Sequence, residues 1–163
     1  MQPVHVDCLD TPIGELCAAV SGSLALIVHR RNRVYEVVER YSPEVVGGGA
    51  ARELVEELRE YFGGKRRSFS FEPVLPGSPL RAVIYAEVRR IPYGSTATYG
   101  EIARRVDTHP RVVGSALKRN HTLILIPCHR VIGTRGLGGF ELGVRAKEVL
   151  LSLEKNGRGH LSP

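Results

Sequence analysis

The chain has 163 residues, enough for one good core or for two small domains sharing an interface, and carries a formal net charge of +6. No segment reaches the ~18 apolar residues of a membrane span, and the N-terminus, with Asp7 and Asp10, lacks the charged-then-apolar pattern of a secretion signal. A cytoplasmic protein without a membrane partner is expected, and three cysteines are too few for a disulfide scaffold.

Residues 4–9 and 15–21 alternate like the arms of a hairpin, and residues 24–28 read as a further apolar strand. If Pro12 and Ile13 form a two-residue turn, Thr11 pairs with Gly14 and Cys8 falls opposite Cys17. Cβ atoms of opposed cross-strand residues lie ~4.5–5.5 Å apart, a little wide for an unstrained disulfide. The pair reads as two buried thiols in a mesophile and as a plausible disulfide in a hyperthermophile. His5 and His29 beside these cysteines have weak zinc spacing, and no metal is expected.

Residues 34–41 fit strand or helix, and Pro43 with Gly47, Gly48 and Gly49 punctuates the chain. Residues 51–62 read as a helix with Leu54, Leu58 and Phe62 at i, i+4 spacing, ended by Gly63 and Gly64. Residues 69–80 hold four prolines and glycines and read as a connector. It separates a sheet-and-helix scaffold domain, 1–72, from a second domain, 73–163.

The second half reads as helical. Ser78-Pro79 is an N-cap followed by proline at the first helical position, and Leu80, Val83, Ile84 and Val88 form the stripe behind it. Thr98 and Glu101 make a capping box for a short helix to Val106. Asp107-Thr108-His109 is a tight turn, and Pro110 opens a helix to about Arg119; two such helices make a helix-turn-helix. Residues 133–143 form a glycine-rich loop, and residues 144–155 the last helix, with Val149, Leu150 and Leu153 facing inward.

Charge is uneven along the chain. Residues 1–80 carry 9 Lys+Arg against 11 Asp+Glu, and residues 81–163 carry 14 against 6. The second half alone is suited to a polyanion. In the helix from Pro110, Val113, Ala116 and Leu117 can face the core, while Arg111, Gly114, Ser115 and Lys118 share the other side. A glycine inside a helix costs ~1 kcal/mol against alanine, so Gly114 implies close approach of another backbone. Small residues flanked by basic ones suit a helix lying in a narrow groove; a small-residue packing face is the alternative.

The run from Leu123 to Val131 carries the chemistry. It sets Cys128 after an apolar strand and Pro127, with His129 and Arg130 immediately behind. A reactive cysteine needs a rigid mount, a nearby base and positive charge that favours the thiolate; a buried structural thiol is the other reading. Neighbouring side chains do not face each other on a strand or a helix. If His129 is the base, a water or a turn must carry the proton across.

Ile-Pro-Cys-His-Arg-Val at 126–131 resembles the acceptor-cysteine motif of the O6-alkylguanine-DNA alkyltransferases. Ile91-Pro92-Tyr93-Gly94, Thr98 to Ala103, Arg111-Val112-Val113-Gly114, Asn120, Gly136 to Phe140 and Lys147 to Glu154 follow in family order. Thr11 to Gly14 and Tyr61 to Gly64 also fit, so the likeness spans roughly residues 11–157.

The resemblance implies an α/β (α+β) fold: a small N-terminal antiparallel sheet with a helix, and a mostly helical C-terminal domain containing the helix-turn-helix. It implies repair of double-stranded DNA carrying O6-alkylguanine by a monomer without cofactor, the alkyl group moving once and irreversibly to Cys128. Glu154 would hold His129, and His129 a water that deprotonates Cys128. Tyr99 would rotate the nucleotide's phosphate and donate a proton to guanine, and Asn120 would bridge the helix-turn-helix to the site. Arg111 would enter the base stack from the minor groove, with Gly114, Ser115 and Lys118 against DNA. Gly138 to Glu141 would gate the substrate, Phe140 standing where some members have tyrosine, and the carbonyls of Cys128 and Val131 would read the base. Leu142, in place of a glycine of some relatives, would limit bulky adducts. The alternatives are a damage-recognition module binding alkylated guanine without transfer, a Cys-His hydrolase, and a DNA-binding regulator, which leaves Cys128 unexplained.

Overall fold

The hairpin forms in the register that the Pro12-Ile13 turn dictates. In the computed structural model, which describes residues 3–41 and 44–157, β1 (Val4–Thr11) and β2 (Gly14–Ser21) pair antiparallel with Thr11 opposite Gly14 and Cys8 opposite Cys17. Gly14 takes φ +100°, which few other residues would adopt, and the Thr11 hydroxyl donates to its carbonyl. Cys8 and Cys17 are joined as a disulfide.

β3 (Leu24–His29) continues the antiparallel meander beside β2. The outer positions are parallel, which alternation alone does not disclose: β4 (Val45–Gly47) pairs with β1, and β5 (Glu72–Pro73) with β3. The sheet order is β4-β1-β2-β3-β5. The ambiguous segment is a helix, α1 (Arg31–Tyr41), whose Val34, Val37 and Val38 join Val4, Val6, Cys17, Ala19 and Ile27 in one apolar cluster. α2 (Ala50–Phe62) packs on β1 and β2 and buries Leu54, Leu58 and Tyr61; Phe62, expected on that stripe, is only partly covered.

The chain divides into two compact units. One runs to Val74 and also takes in His121–Leu125, where Thr122 bridges to Val28 in parallel. The other comprises Leu75–Asn120 and the chain from Ile126 onward.

In the second unit α3 (Pro79–Arg89) starts at the Ser78 cap as its sequence requires. It buries Ile84, Tyr85 and Val88, but Leu80 and Val83 are exposed, because the stripe turns toward Tyr85 instead. The capping box of α4 (Tyr99–Arg105) is fully formed between Thr98 and Glu101. Asp107 takes φ +55° in the turn, and α5 (Pro110–Lys118) begins where His109 Nδ1 accepts the Arg111 N–H. α4 and α5 make the helix-turn-helix. β6 (Ala97–Thr98) and β7 (Val131–Ile132) form a two-stranded parallel sheet, and α6 (Val144–Gly157) closes the described chain. Leu150 is buried in α6 while Val149 is exposed, contrary to its expected inward position, because Ala146, Lys147, Leu150 and Glu154 take the inner stripe.

Candidate active site

Residues 123–127 are not the strand that their composition suggests. The Leu125 N–H donates to Leu123 O across Ile124, which is held at φ +73°, a costly conformation for a β-branched residue. The Cys128 N–H donates to Ile126 O across Pro127 (φ −80°, ψ 63°), a second three-residue turn. The chain then enters a single 3-10 turn, Cys128–Arg130, so rigid turns rather than a ladder present the thiol. Such backbone strain collects where function over-determines geometry.

Cys128 is the free cysteine of the chain and is only 5% exposed. The Asn120 side-chain amide donates to its sulfur at 3.2 Å and to Ile126 O at 3.0 Å, so Asn120, placed just past α5, reaches the thiol directly. Positive charge does not win here, contrary to the expectation from sequence. Burial pushes the Cys128 thiol up to about 11, and the Asn120 hydrogen bond and the nearby Lys147 only partly offset it. The resting group is a neutral thiol that needs a base.

The histidine next in sequence is buried and paired. His129 Nε2 lies 2.7 Å from Glu154 Oε2, and both side chains are almost fully buried. Arg130 forks onto the same carboxylate, Nε to Oε1 at 2.8 Å and Nη2 to Oε2 at 3.0 Å, and its Nη1 donates to Ile91 O at 2.9 Å. The Gly94 N–H adds a fourth bond at 3.2 Å. Arg130 therefore ties the turn to α6 and to the segment after α3.

Burial raises the Glu154 pKa, but the bonds from His129 and Arg130 outweigh it and hold the carboxyl well below its usual range. Burial pulls the His129 pKa down, against the pull of Glu154. His129 is thus neutral near pH 7 beside an ionised acceptor, which fixes its proton on Nε2 and leaves a lone pair on Nδ1. Nδ1 is buried and has no hydrogen-bond partner in the structure.

The thiol opens into a cavity of about 480 Å³ lined by Gly114, Leu117 and Lys118 of α5, by Tyr99, and by Gly138 to Glu141 of the glycine-rich loop. Burial raises the Tyr99 pKa, Cys128 adds to the rise and a backbone bond from Gly139 opposes it, so the phenol keeps its proton. Phe140 stands edge-on to His129, centroids 6.4 Å apart. Arg111 and Ser115 are exposed on the same helix but line a different cleft, facing α3. Val131 is buried and its carbonyl is taken by Lys147 at 2.6 Å, which leaves one lone pair for any base contact. Leu142 is buried and does not line the cavity.

Lys147 is the site residue that the sequence reading did not single out. It is fully buried, and its ammonium also donates to Gly139 O at 3.1 Å, so it ties the loop to β7. Burial pushes its pKa down to about 8. The available signal was two charged residues, Lys147 and Glu154, seven apart on the apolar stripe of one helix.

Residues 79–156 match the family described as 6-O-methylguanine DNA methyltransferase, DNA binding domain. A methylated-DNA–protein-cysteine methyltransferase of Mycobacterium leprae is 38% identical over 160 residues, 94% of this chain and 93% of that protein. A protein of the same name from Metallosphaera sedula is 47% identical over 102 residues, 62% of this chain but only 65% of that one. The structure of Mycobacterium tuberculosis O6-methylguanine methyltransferase matches with a TM-score of 0.81 at 32% identity, covering 100% of this chain and 96% of the other. Mycobacterium tuberculosis OGT in complex with DNA matches with a TM-score of 0.80 at 34% identity, covering 94% of each. The chain belongs to the methylated-DNA–protein-cysteine methyltransferase family.

Proposed function

We propose that the chain repairs DNA by moving the alkyl group of O6-alkylguanine onto Cys128, once per molecule. The observation that carries this is a free thiol, bonded by Asn120 and backed by the His129–Glu154 pair, opening into a cavity walled by the second helix of a helix-turn-helix.

The Cys128 proton passes through a water to Nδ1 of His129, and Glu154 stabilises the imidazolium that results. The thiolate attacks the alkyl carbon, the C–O bond breaks, and its electron pair goes to the guanine oxygen. Tyr99 returns a proton to the guanine ring as charge develops there. The product thioether has no acidic or electrophilic handle for release. Cys8 and Cys17, bonded to each other, offer no second acceptor.

A base inside a duplex must be flipped out to reach the thiol, at a cost of a few kcal/mol. Arg111 fills the gap in the stack, while Gly114, Ser115 and Lys118 lie against the minor groove, where little sequence is read. Phe140 stacks on the extruded base, and the backbone at Glu141 and the Cys128 and Val131 carbonyls contact its edge. Residues 1–72 act as scaffold, residues 73–163 bind DNA and accept the alkyl group, and the protein acts as a monomer.

Intact-protein mass after incubation with duplex DNA carrying O6-methylguanine tests this. A methyl replacing the thiol hydrogen adds about fourteen mass units to the covalent nucleophile. The gain should stop at one per molecule and vanish in Cys128→Ala. Tight binding without any gain would support the damage-recognition reading instead.

A further inference from the structure

α5 has two exposed flanks. On one, Gly114 and Lys118 line the cavity of Cys128; on the other, Arg111, Ser115 and Arg119 line a second cleft of about 300 Å³. Ser78 and Arg81 at the start of α3 form part of its facing wall. Three arginines and two serines thus line one concavity, and no acidic residue does.

Several other arginines of the chain have a carboxylate partner. Arg31 is paired with Glu15, Arg90 with Glu87, Arg105 with Glu87 and Glu101, and Arg130 with Glu154. Among the described residues, Arg81, Arg111 and Arg119 make no such ion pair. Arg81 and Arg119 both act electrostatically on the Tyr85 phenol, which Arg81 also hydrogen-bonds and whose hydroxyl donates to Ala116 O at 2.6 Å between α3 and α5. Guanidinium groups held together without an anion repel one another, and their planar forks match phosphate oxygens.

We infer that the α3/α5 cleft is an anion subsite in which Arg81 and Arg119 grip a backbone phosphate of the duplex, on the flank of α5 away from the reacting base. This rests on the DNA reading given above. A helix in a minor groove only ~6 Å wide is bordered by a phosphate row on each side. One flank of α5 is committed to the cavity that takes the base. The other presents Arg119, with Arg81 of α3 beside it, to the second row and fixes the helix's depth and register without reading sequence.

The test compares wild type with Arg81→Gln/Arg119→Gln for binding to duplex DNA over a salt series, by fluorescence anisotropy. Each phosphate contact contributes about −0.9 to the slope of log K against log salt. The double variant should bind roughly tenfold more weakly at moderate salt, for any duplex sequence, with a slope shallower by about 1. Arg31→Gln/Arg33→Gln, which removes the same charge from the other unit, should leave both quantities nearly unchanged. Arg81→Lys/Arg119→Lys should recover the slope and only part of the affinity. An unchanged slope in the Gln double variant, with wild type binding DNA normally, would overturn the subsite and leave the DNA reading standing. Failure of wild type to bind duplex would overturn both. Binding of inorganic phosphate that Arg81→Gln/Arg119→Gln abolishes, while duplex affinity stays unaltered, would mark the cleft as a site for free phosphate and overturn the proposal.

Discussion

Glu154 is the residue on which the site's charges converge. It accepts from His129, twice from Arg130 and from the Gly94 backbone, and these four bonds occupy the lone-pair directions of a carboxylate. Glu154→Gln keeps the volume but leaves the Arg130 guanidinium buried without its counter-charge. Stability should fall by about 3–5 kcal/mol, read by urea denaturation, and single-turnover transfer should slow, because the Nε2 proton of His129 is no longer fixed. The lowered pKa values of His129 and Glu154 also set an acid dependence. As pH falls, the unfolded chain takes up these two protons before the folded one does, so stability declines with acid. The decline should begin near the ordinary histidine value of 6.5 and steepen below 4.5, the ordinary glutamate value. Transfer should hold its full rate to a pH below 6.5, because His129 stays neutral there. An acid limb at or above 6.5 in the rate profile would remove His129 from the role of base.

At the scale of elements, the glycine-rich loop is shaped by Tyr99. Gly138 takes φ +77°, and a Cβ there would lie 2.7 Å from the Tyr99 hydroxyl and 2.9 Å from its ring. Gly138→Ala should cost about 1–3 kcal/mol in backbone strain and push the phenol out of place. Transfer should fall by more than the loss of folded protein explains, which rates normalised to the folded fraction would reveal. Caps and turns were the legible elements. Ser78, the Thr98–Glu101 box, Pro110 and the Pro12-Ile13 turn act through neighbours in sequence, and the structure bears each out. The approach to Cys128 was not legible: four apolar residues before a proline read as a strand, whereas the structure spends them on two tight turns. The outer parallel strands β4 and β5 are too short to show a period. Lys147 was named only as the start of a family segment and given no role, because a buried lysine becomes intelligible only once the carbonyls of Val131 and Gly139 are seen beside it. The thiol's raised pKa was likewise hidden, since burial, which decides it, is a property of the fold.

For the whole molecule, the Cys8–Cys17 disulfide closes a short loop inside the first unit. A loop of that length constrains the unfolded chain by about 2–3 kcal/mol. Reductant should therefore lower the thermal midpoint while leaving the rate of methyl transfer at 25 °C unchanged; an equal midpoint with and without reductant would show that the bond contributes nothing. The excursion of His121–Leu125 into the first unit has a different consequence, for synthesis. A ribosome releases residues 1–74 first, yet the Val28 N–H and carbonyl find their partners only in His121 and Leu123. The nascent sheet therefore waits with an open stretch of β3 while α3, α4 and α5 are being made. A chain stalled between them would present that stretch to other nascent chains or to chaperones. The residues that complete the first unit are thus made only just ahead of Cys128.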